Sequence, residues 1–305
     1  MPRETVVIAL GGNSLLSAKK RFTIHKEIEN VDDSCRVIAR IARSGYRVVI
    51  THGNGPQVGD ILLAQEEAKG KVPQMPLDVL GAQIQGEIGY LIQRLLRRYL
   101  PNREILSLVT QVMVDPRDPA FERPTKFVGP FYRSMPSPAK GKVYMRDSDR
   151  GYRRVVPSPE PIEIVERREI RKLVNDGFMV ITCGGGGIPV YRKHGLLEGS
   201  EAVIDKDLAS QRLANTLGAQ TLLIITDVRK VCTHYGTRLE KGIDRMSIKE
   251  AEIYMMGGQF PPGNMGPKVE AAIRFIRHGG RRAIITDREH ALEALRDKDG
   301  TIISR

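Results

Sequence analysis

Two lysines stand where folding alone does not favour a cation: Lys206 immediately precedes an expected helix, and Lys268 lies in the first turn of another. A helix N-terminus carries partial positive charge, so a lysine there opposes the dipole by roughly 0.3–1 kcal/mol. A bound polyanion reverses that sign, because each ammonium then adds a point charge to backbone N–H groups already aimed at the ligand. Asp205 and Asp207 flank Lys206 and suit either orienting it or holding Mg2+ through water; a plain exposed ion pair is the competing reading. Glycine-rich turns supply the other half of an anion site. Gly11-Gly12-Asn13-Ser14, His52-Gly53-Asn54-Gly55-Pro56 and the four glycines from Gly184 to Gly187 let a ligand approach the backbone closely. Asn13 and Ser14 are also good helix caps, which gathers free N–H groups just past the first turn. The chemistry such lysines and turns suit is phosphoryl transfer. His52 reads more readily as a turn residue than as a ligand.

Each turn needs an element to deliver it. Val6 to Leu10, Arg47 to Thr51, Met179 to Cys183, Leu222 to Thr226 and Ala283 to Thr286 are short β-rich runs, and each leads into glycine or aspartate at its carboxyl end. Helical patterns separate them, which predicts a parallel sheet with helices on both faces. Ligands of such sheets bind beyond the carboxyl ends of the strands, so the glycine clusters face one crevice. That arrangement favours an enzyme over a structural module.

Between the strands, the polar run Arg21 to Asn30 reads as a loop and Val31 to Ser44 as a helix stopped by Gly45. Val58 to Ala68 and Leu80 to Tyr99 are expected helices; the latter carries Ile84, Ile88, Leu91, Ile92, Leu95 and Leu96 on one stripe, either core or a dimer seam. Val112 to Pro161 is crowded with prolines and basic residues and reads as a protruding lid over an anionic site, with a surface excursion as the alternative. Within it, residues 142–145 and 152–156 flank a turn and suggest a hairpin. Ile162 to Asn175 is an expected helix, and Asp207 is positioned to cap Leu208 to Leu217. Ser247 to Glu250 forms a capping box, Asn264 to Lys268 opens a helix running to His278, and Thr301 to Ser304 reads as a final edge strand.

Composition narrows the function further. The 305 residues are 41% hydrophobic and 28% charged, as in a globular protein, and no run approaches the length of a membrane span. MPRETVVIAL enters the first strand at once, and the three cysteines (Cys35, Cys183, Cys232) form no CxxC, so we expect no signal peptide, no zinc site and a cytoplasmic location. A net charge of +12 raises nucleic-acid binding, but the basic residues are scattered and aromatics are only 5%, which suits small polyanionic substrates better. GxxxxGK[ST], GxGxxG, HRD, DFG and HExxH are all missing, which sets aside Walker-type NTPases, dinucleotide sites, protein kinases and zinc proteases.

The stretches ALGGN (9–13), HGNGPQVG (52–59), DVLGAQIQGEIGY (78–90), PTKFVGPFY (124–132), RRVVPSPEP (153–161), GGGGIPV (184–190), EAVIDKDLAS (201–210) and GNMGPKVEAA (263–272) together resemble the carbamate kinases of the amino acid kinase family, nearly end to end. The resemblance implies a three-layer αβα fold with an open, mainly parallel sheet and a protruding lid subdomain. It implies an acceptor lobe over residues 1–194 that includes the 112–161 lid, and a nucleotide lobe over 195–305. It further implies a homodimer and the reversible reaction of ATP with carbamate to give ADP and carbamoyl phosphate. By position, Gly11, Gly12, Asn13, Gly53 and Asn54 would surround the acceptor and the transferring phosphoryl. Lys206 and Lys268 would neutralise charge, Asp207 would organise the lysines, and Lys126 would reach in from the lid. Asp227, Met265 and Gly266 would lie on the nucleotide side. Mg2+ would arrive on the ATP phosphates with no direct protein ligand assigned. A carbamate oxygen is already anionic, so no general base is needed. Arg229 and Cys232 depart from the acid and tyrosine usual after Thr226-Asp227-Val228. Related kinases acting on another small carboxylate or phosphonate, and a nucleotide-sensing or nucleic-acid-binding protein on this fold, are the alternatives.

Overall fold

The computed structural model describes residues 4–11, 23–137, 142–147, 151–261 and 263–305. Its centre is an eight-stranded sheet, with β1 Thr5–Leu10, β2 Arg47–His52, β3 Ile105–Ser107, β4 Met179–Ile181, β5 Thr221–Thr226, β6 Arg245–Ser247, β7 Arg282–Asp287 and β8 Thr301–Ser304. The spatial order is β6-β8-β7-β5-β1-β2-β4-β3. Every neighbouring pair is parallel except β7 with β8. The first strand therefore lies mid-sheet, with β5 on one side and β2 on the other, and strand order reverses there. That is the place where open α/β sheets bind ligands.

Eight helices surround the sheet among the described residues: α1 Ile24–Arg43, α2 Gly55–Glu67, α3 Leu77–Tyr99, α4 Arg167–Asn175, α5 Lys206–Leu217, α6 Ile248–Met256, α7 Met265–Arg277 and α8 Ala291–Leu295. Alternation along β1 divides them into two layers. Val6, Ile8 and Leu10 pack with α1, α3 and α8, whereas Val7 and Ala9 pack with α4, α5 and α7. The three-layer αβα fold expected from the sequence is the one found. The α3 stripe from Ile84 to Leu96 is buried in the first layer and is core, not a seam.

The structure corrects four local readings. The polar run before Asn30 is helical from Ile24, because Thr23 caps it and the buried Glu27 accepts from Gln57 of α2 at 2.7 Å. The 162–175 helix starts only at Arg167; Glu163–Ile164 is extended and pairs with Gln111–Met113. The cap of α5 is Asp205 rather than Asp207, so the helix begins at Lys206 itself. Thr301–Ser304 is not an edge strand, since the three-residue strand Arg245–Ser247, too short to signal itself in sequence, covers its outer side. The capping box at Ser247 and Glu250 is present as expected.

The proline-rich insert builds its own three-stranded antiparallel sheet from Lys126–Tyr132, Val143–Arg146 and Tyr152–Val156. The last two form the expected hairpin. Helix α2 crosses the first strand so closely that a Cβ on Gly59 would lie 3.0 Å from the Gly129 Cα, while Gly129 itself takes a positive φ of 80°. Among the described residues no helix is long and apolar enough to cross a membrane.

Candidate active site

At the reversal point the backbone is stitched strand to strand beyond the regular ladder. The Gly11 N–H donates to Ile225 O and the Gly53 N–H to Leu10 O, both at 2.9 Å, so the first two glycine turns lie side by side. Gly12 and Asn13 fall outside the described residues. Gly53 and Asn54 are buried, and Asn54 is the residue before α2.

The four-glycine turn is pressed against this pair. Cys183 and Gly185 both take positive φ, 49° and 63°, and a Cβ on Gly185 would fall 2.0 Å from Asn54 Nδ2. On Gly184 it would fall 2.5 Å from His52 Nε2, and on Gly186 2.5 Å from Ile204 O, just before Asp205. Glycine is thus demanded by contact between three turns. Gln85 of α3 locks the turn from behind, donating to Gly184 O at 2.9 Å and to Thr110 O at 3.1 Å and accepting from the Thr110 N–H at 2.8 Å. His52 is fully enclosed, with Nδ1 3.1 Å from Gly53 O; burial pushes its imidazole down to about 4. It is a neutral wall of the site, in keeping with its reading as a turn residue.

Lys206 and Lys268, 62 positions apart in sequence, meet on one carboxylate. Lys206 contacts Asp207 Oδ1, and Lys268 Nζ lies 3.3 Å from Asp207 Oδ2 and donates to Asn264 O at 3.1 Å. Asp207 is 2% exposed. Burial opposes its charge, but the two ammonium groups hold its carboxyl well below the usual carboxylate range. Burial lowers Lys206 despite Asp207, with Lys268 adding repulsion. For Lys268, burial is more than offset by Asp207, Asp205 and Asp227, and it titrates above the ordinary lysine range. Lys126, the first residue of the insert's sheet, reaches the same place and donates to Asp205 Oδ2 at 2.7 Å. Thr51, at the end of β2, is hydrogen-bonded to Ser210 of α5 at 2.6 Å, which ties the acceptor-side turn to the lysine-bearing helix.

Asn264, whose carbonyl accepts from Lys268, also lines a groove walled by Asp227, Val228, Cys232, Tyr235, Phe260 and Met265 among others. Gly266 is buried behind it, and its N–H donates to Pro261 O at 3.0 Å. Arg229 forms an ion pair with Asp299 at 2.6 Å, while Cys232 lines the groove.

The described residues from the predicted set therefore gather at one crevice: Gly11, Gly53, Asn54, Lys126, Lys206, Asp207 and Lys268 at its centre, and Asp227, Met265 and Gly266 along the groove. Sequence reasoning missed the Asp205–Lys126 contact and the Gln85 clamp. The sequence offers Asp205 as a residue that orients Lys206 or holds Mg2+ through water, not as the partner of Lys126. Gln85 carried no local signal, since a buried amide on a helix stripe looks like any polar interruption.

The profile of the amino acid kinase family matches residues 4–287. A carbamate kinase of Pyrococcus horikoshii is 49% identical over 99% of both chains, and one of Pyrococcus furiosus is 47% identical over 98% of both. The solved structure of carbamate kinase from Giardia lamblia bound to AMP-PNP shares the fold at a TM-score of 0.92, with 42% identity over 99% of each chain. N-acetylglutamate synthase from Neisseria gonorrhoeae, at 15% identity and a TM-score of 0.62, shares the fold alone. Sequence and architecture agree over the whole length: the chain belongs to the amino acid kinase family, in its carbamate kinase branch.

Proposed function

We propose that the crevice transfers a phosphoryl group reversibly between ATP and carbamate, giving ADP and carbamoyl phosphate, by positioning and charge neutralisation alone. The carrying observation is the convergence of Lys206 and Lys268 on the buried Asp207, with Lys126 beside them on Asp205. Residues 1–194 form the acceptor lobe with the 112–161 segment as its lid, and residues 195–305 form the nucleotide lobe. Gly11, Gly53 and Asn54 serve the acceptor side, and Gly12 and Asn13 are assigned the same role from the sequence. The groove by Asp227, Met265 and Gly266 takes the nucleotide, in keeping with the AMP-PNP bound by the Giardia relative.

The lysines bind the phosphate oxygens as point charges, and their attraction grows as negative charge collects on the transferring group. Asp207 keeps both ammonium groups charged and aimed. His52, held neutral, adds no competing proton source. The acceptor oxygen is already anionic, so no side chain has to remove a proton.

The donor set also fits a divalent ion that arrives with the nucleotide. Asp205 and Asp207 are taken by lysines, whereas Asp227 is exposed at the groove and would hold the ion's water shell. Mg2+ so placed would supply charge shielding between the phosphates. We further place the protein in the cytoplasm as a homodimer: its three free cysteines suit a reducing compartment, and the exposed Tyr90 and Val109 suit burial against a second copy. Incubating pure protein with ADP, Mg2+ and carbamoyl phosphate should yield ATP, and excess chelator should abolish it. Turnover with a different acyl phosphate but none with carbamoyl phosphate would replace the acceptor, and full activity in chelator would remove the ion.

A further inference from the structure

We propose that Asp205 is a positioning residue for the transfer, holding Lys126 of the insert at the head of the lysine-bearing helix α5. The proposal rests on Lys126 acting on the transferring phosphoryl, as set out above. One carboxylate makes both contacts. Its Oδ1 accepts from the backbone N–H groups of Asp207 at 2.9 Å and Leu208 at 3.4 Å, which caps α5, while Oδ2 accepts from Lys126 Nζ at 2.7 Å. The Asp205 side chain is 14% exposed and that of Lys126 33%, so the carboxylate is largely shielded from solvent while the lysine stays reachable.

A second tie runs beside the first. The Val203 N–H donates to Pro157 O at 3.0 Å, where the insert's third strand ends, and Lys126 is the register partner of Val156 on that strand. The root of the insert and the start of α5 are thus joined through neighbouring strands, and the next two residues after Asp205 are Lys206 and Asp207. A lysine side chain left free samples many rotamers. Asp205 removes that freedom before substrate arrives, and the ammonium keeps further N–H donors for an incoming anion.

Asparagine caps helices as well as aspartate does, so Asp205→Asn keeps α5 capped while removing the charge that holds Lys126. We expect its urea midpoint to match the wild type and its kcat for ATP formation to fall by about tenfold. In a Lys126→Ala background the same substitution should change kcat by less than about twofold, because there is no lysine left to position. Asp205→Ser, another good cap, repeats the test if Asp205→Asn folds poorly. An equal fall in both backgrounds, or an unchanged or raised kcat in the single variant, would overturn the proposal while leaving the role of Lys126 standing. If Lys126→Ala alone leaves kcat unchanged, the role of Lys126 itself fails, and the positioning role with it.

Discussion

Removing either end of the Lys268–Asp207 contact breaks the same bond, yet the two losses should differ several-fold in stability. The contacting buried charges are Lys206, Lys268 and Asp207, two cations against one anion. Lys268→Met leaves Lys206 balanced by Asp207 and keeps most of the aliphatic packing, so it should cost about 1 kcal/mol or less. Asp207→Asn instead leaves two ammonium groups facing each other with no carboxylate in contact, only the more distant Asp205 and Asp227 to offset them. At an effective dielectric of about 20, Lys268 at 3.3 Å loses an attraction of about 5 kcal/mol, most of it already spent on desolvation, and Lys206, in direct contact, loses at least as much. Breaking a buried pair from one side typically costs about 3–5 kcal/mol net, and we expect the low end because Lys206 can shed its proton.

That proton loss fixes the pH dependence. Burial has already lowered Lys206, and without Asp207 it falls further. Between the folded and unfolded pKa values the unfolded chain holds a proton that the folded chain lacks, so stability rises with pH across that window. Urea unfolding followed by circular dichroism should show Asp207→Asn about 3 kcal/mol below wild type near neutrality, with the deficit shrinking toward pH 9. Equal losses for Lys268→Met and Asp207→Asn, or a deficit that widens with pH, would refute the reasoning.

Lys268→Met and Lys206→Met should each lower kcat by about two orders of magnitude while weakening nucleotide binding only modestly, and the double variant should lose less than the sum; steady-state kinetics and calorimetry decide it. His52, held near 4 when folded against an ordinary 6.5, stays neutral where the unfolded chain is protonated, so stability should fall by about 3 kcal/mol as pH drops from 6.5 to 4. His52→Asn keeps a donor for Gly53 O and should flatten that part of the profile. Gly185→Ala should cost about 1–3 kcal/mol and most of the activity, because its Cβ would strike Asn54 at a φ of 63°; a variant of wild-type stability and rate would show that the turn has room.

What the sequence made legible was what local patterning encodes. Five β-rich runs ending in glycine or aspartate reported strands β1, β2, β4, β5 and β7 and the crevice beyond them, because parallel buried strands leave continuous apolar runs. Lys206 and Lys268 stood out because each sits against a helix dipole. Contacts between distant segments were not legible. Nothing near Glu27 announces Gln57, so a helical turn looked like a loop. The Asp205 cap was overlooked in favour of Asp207, which has the same side chain two residues on; only the fold shows that Asp207 is turned inward onto two lysines.

The same arrangement explains how the fold tolerates cations at two helix N-termini. The dipole penalty is small beside the attraction of a buried carboxylate a few ångströms away, so Asp207 decides the sign at both places. Lys126 is held likewise by Asp205, which leaves three lysines in contact with two aspartates and the site one positive charge in excess. An anion entering the crevice closes that balance without demanding that the protein rearrange. The aspartates weaken the lysines' pull on a bound ground state, but they hold the donors in place before charge develops. Lowering the barrier depends on that prior placement more than on tight substrate binding.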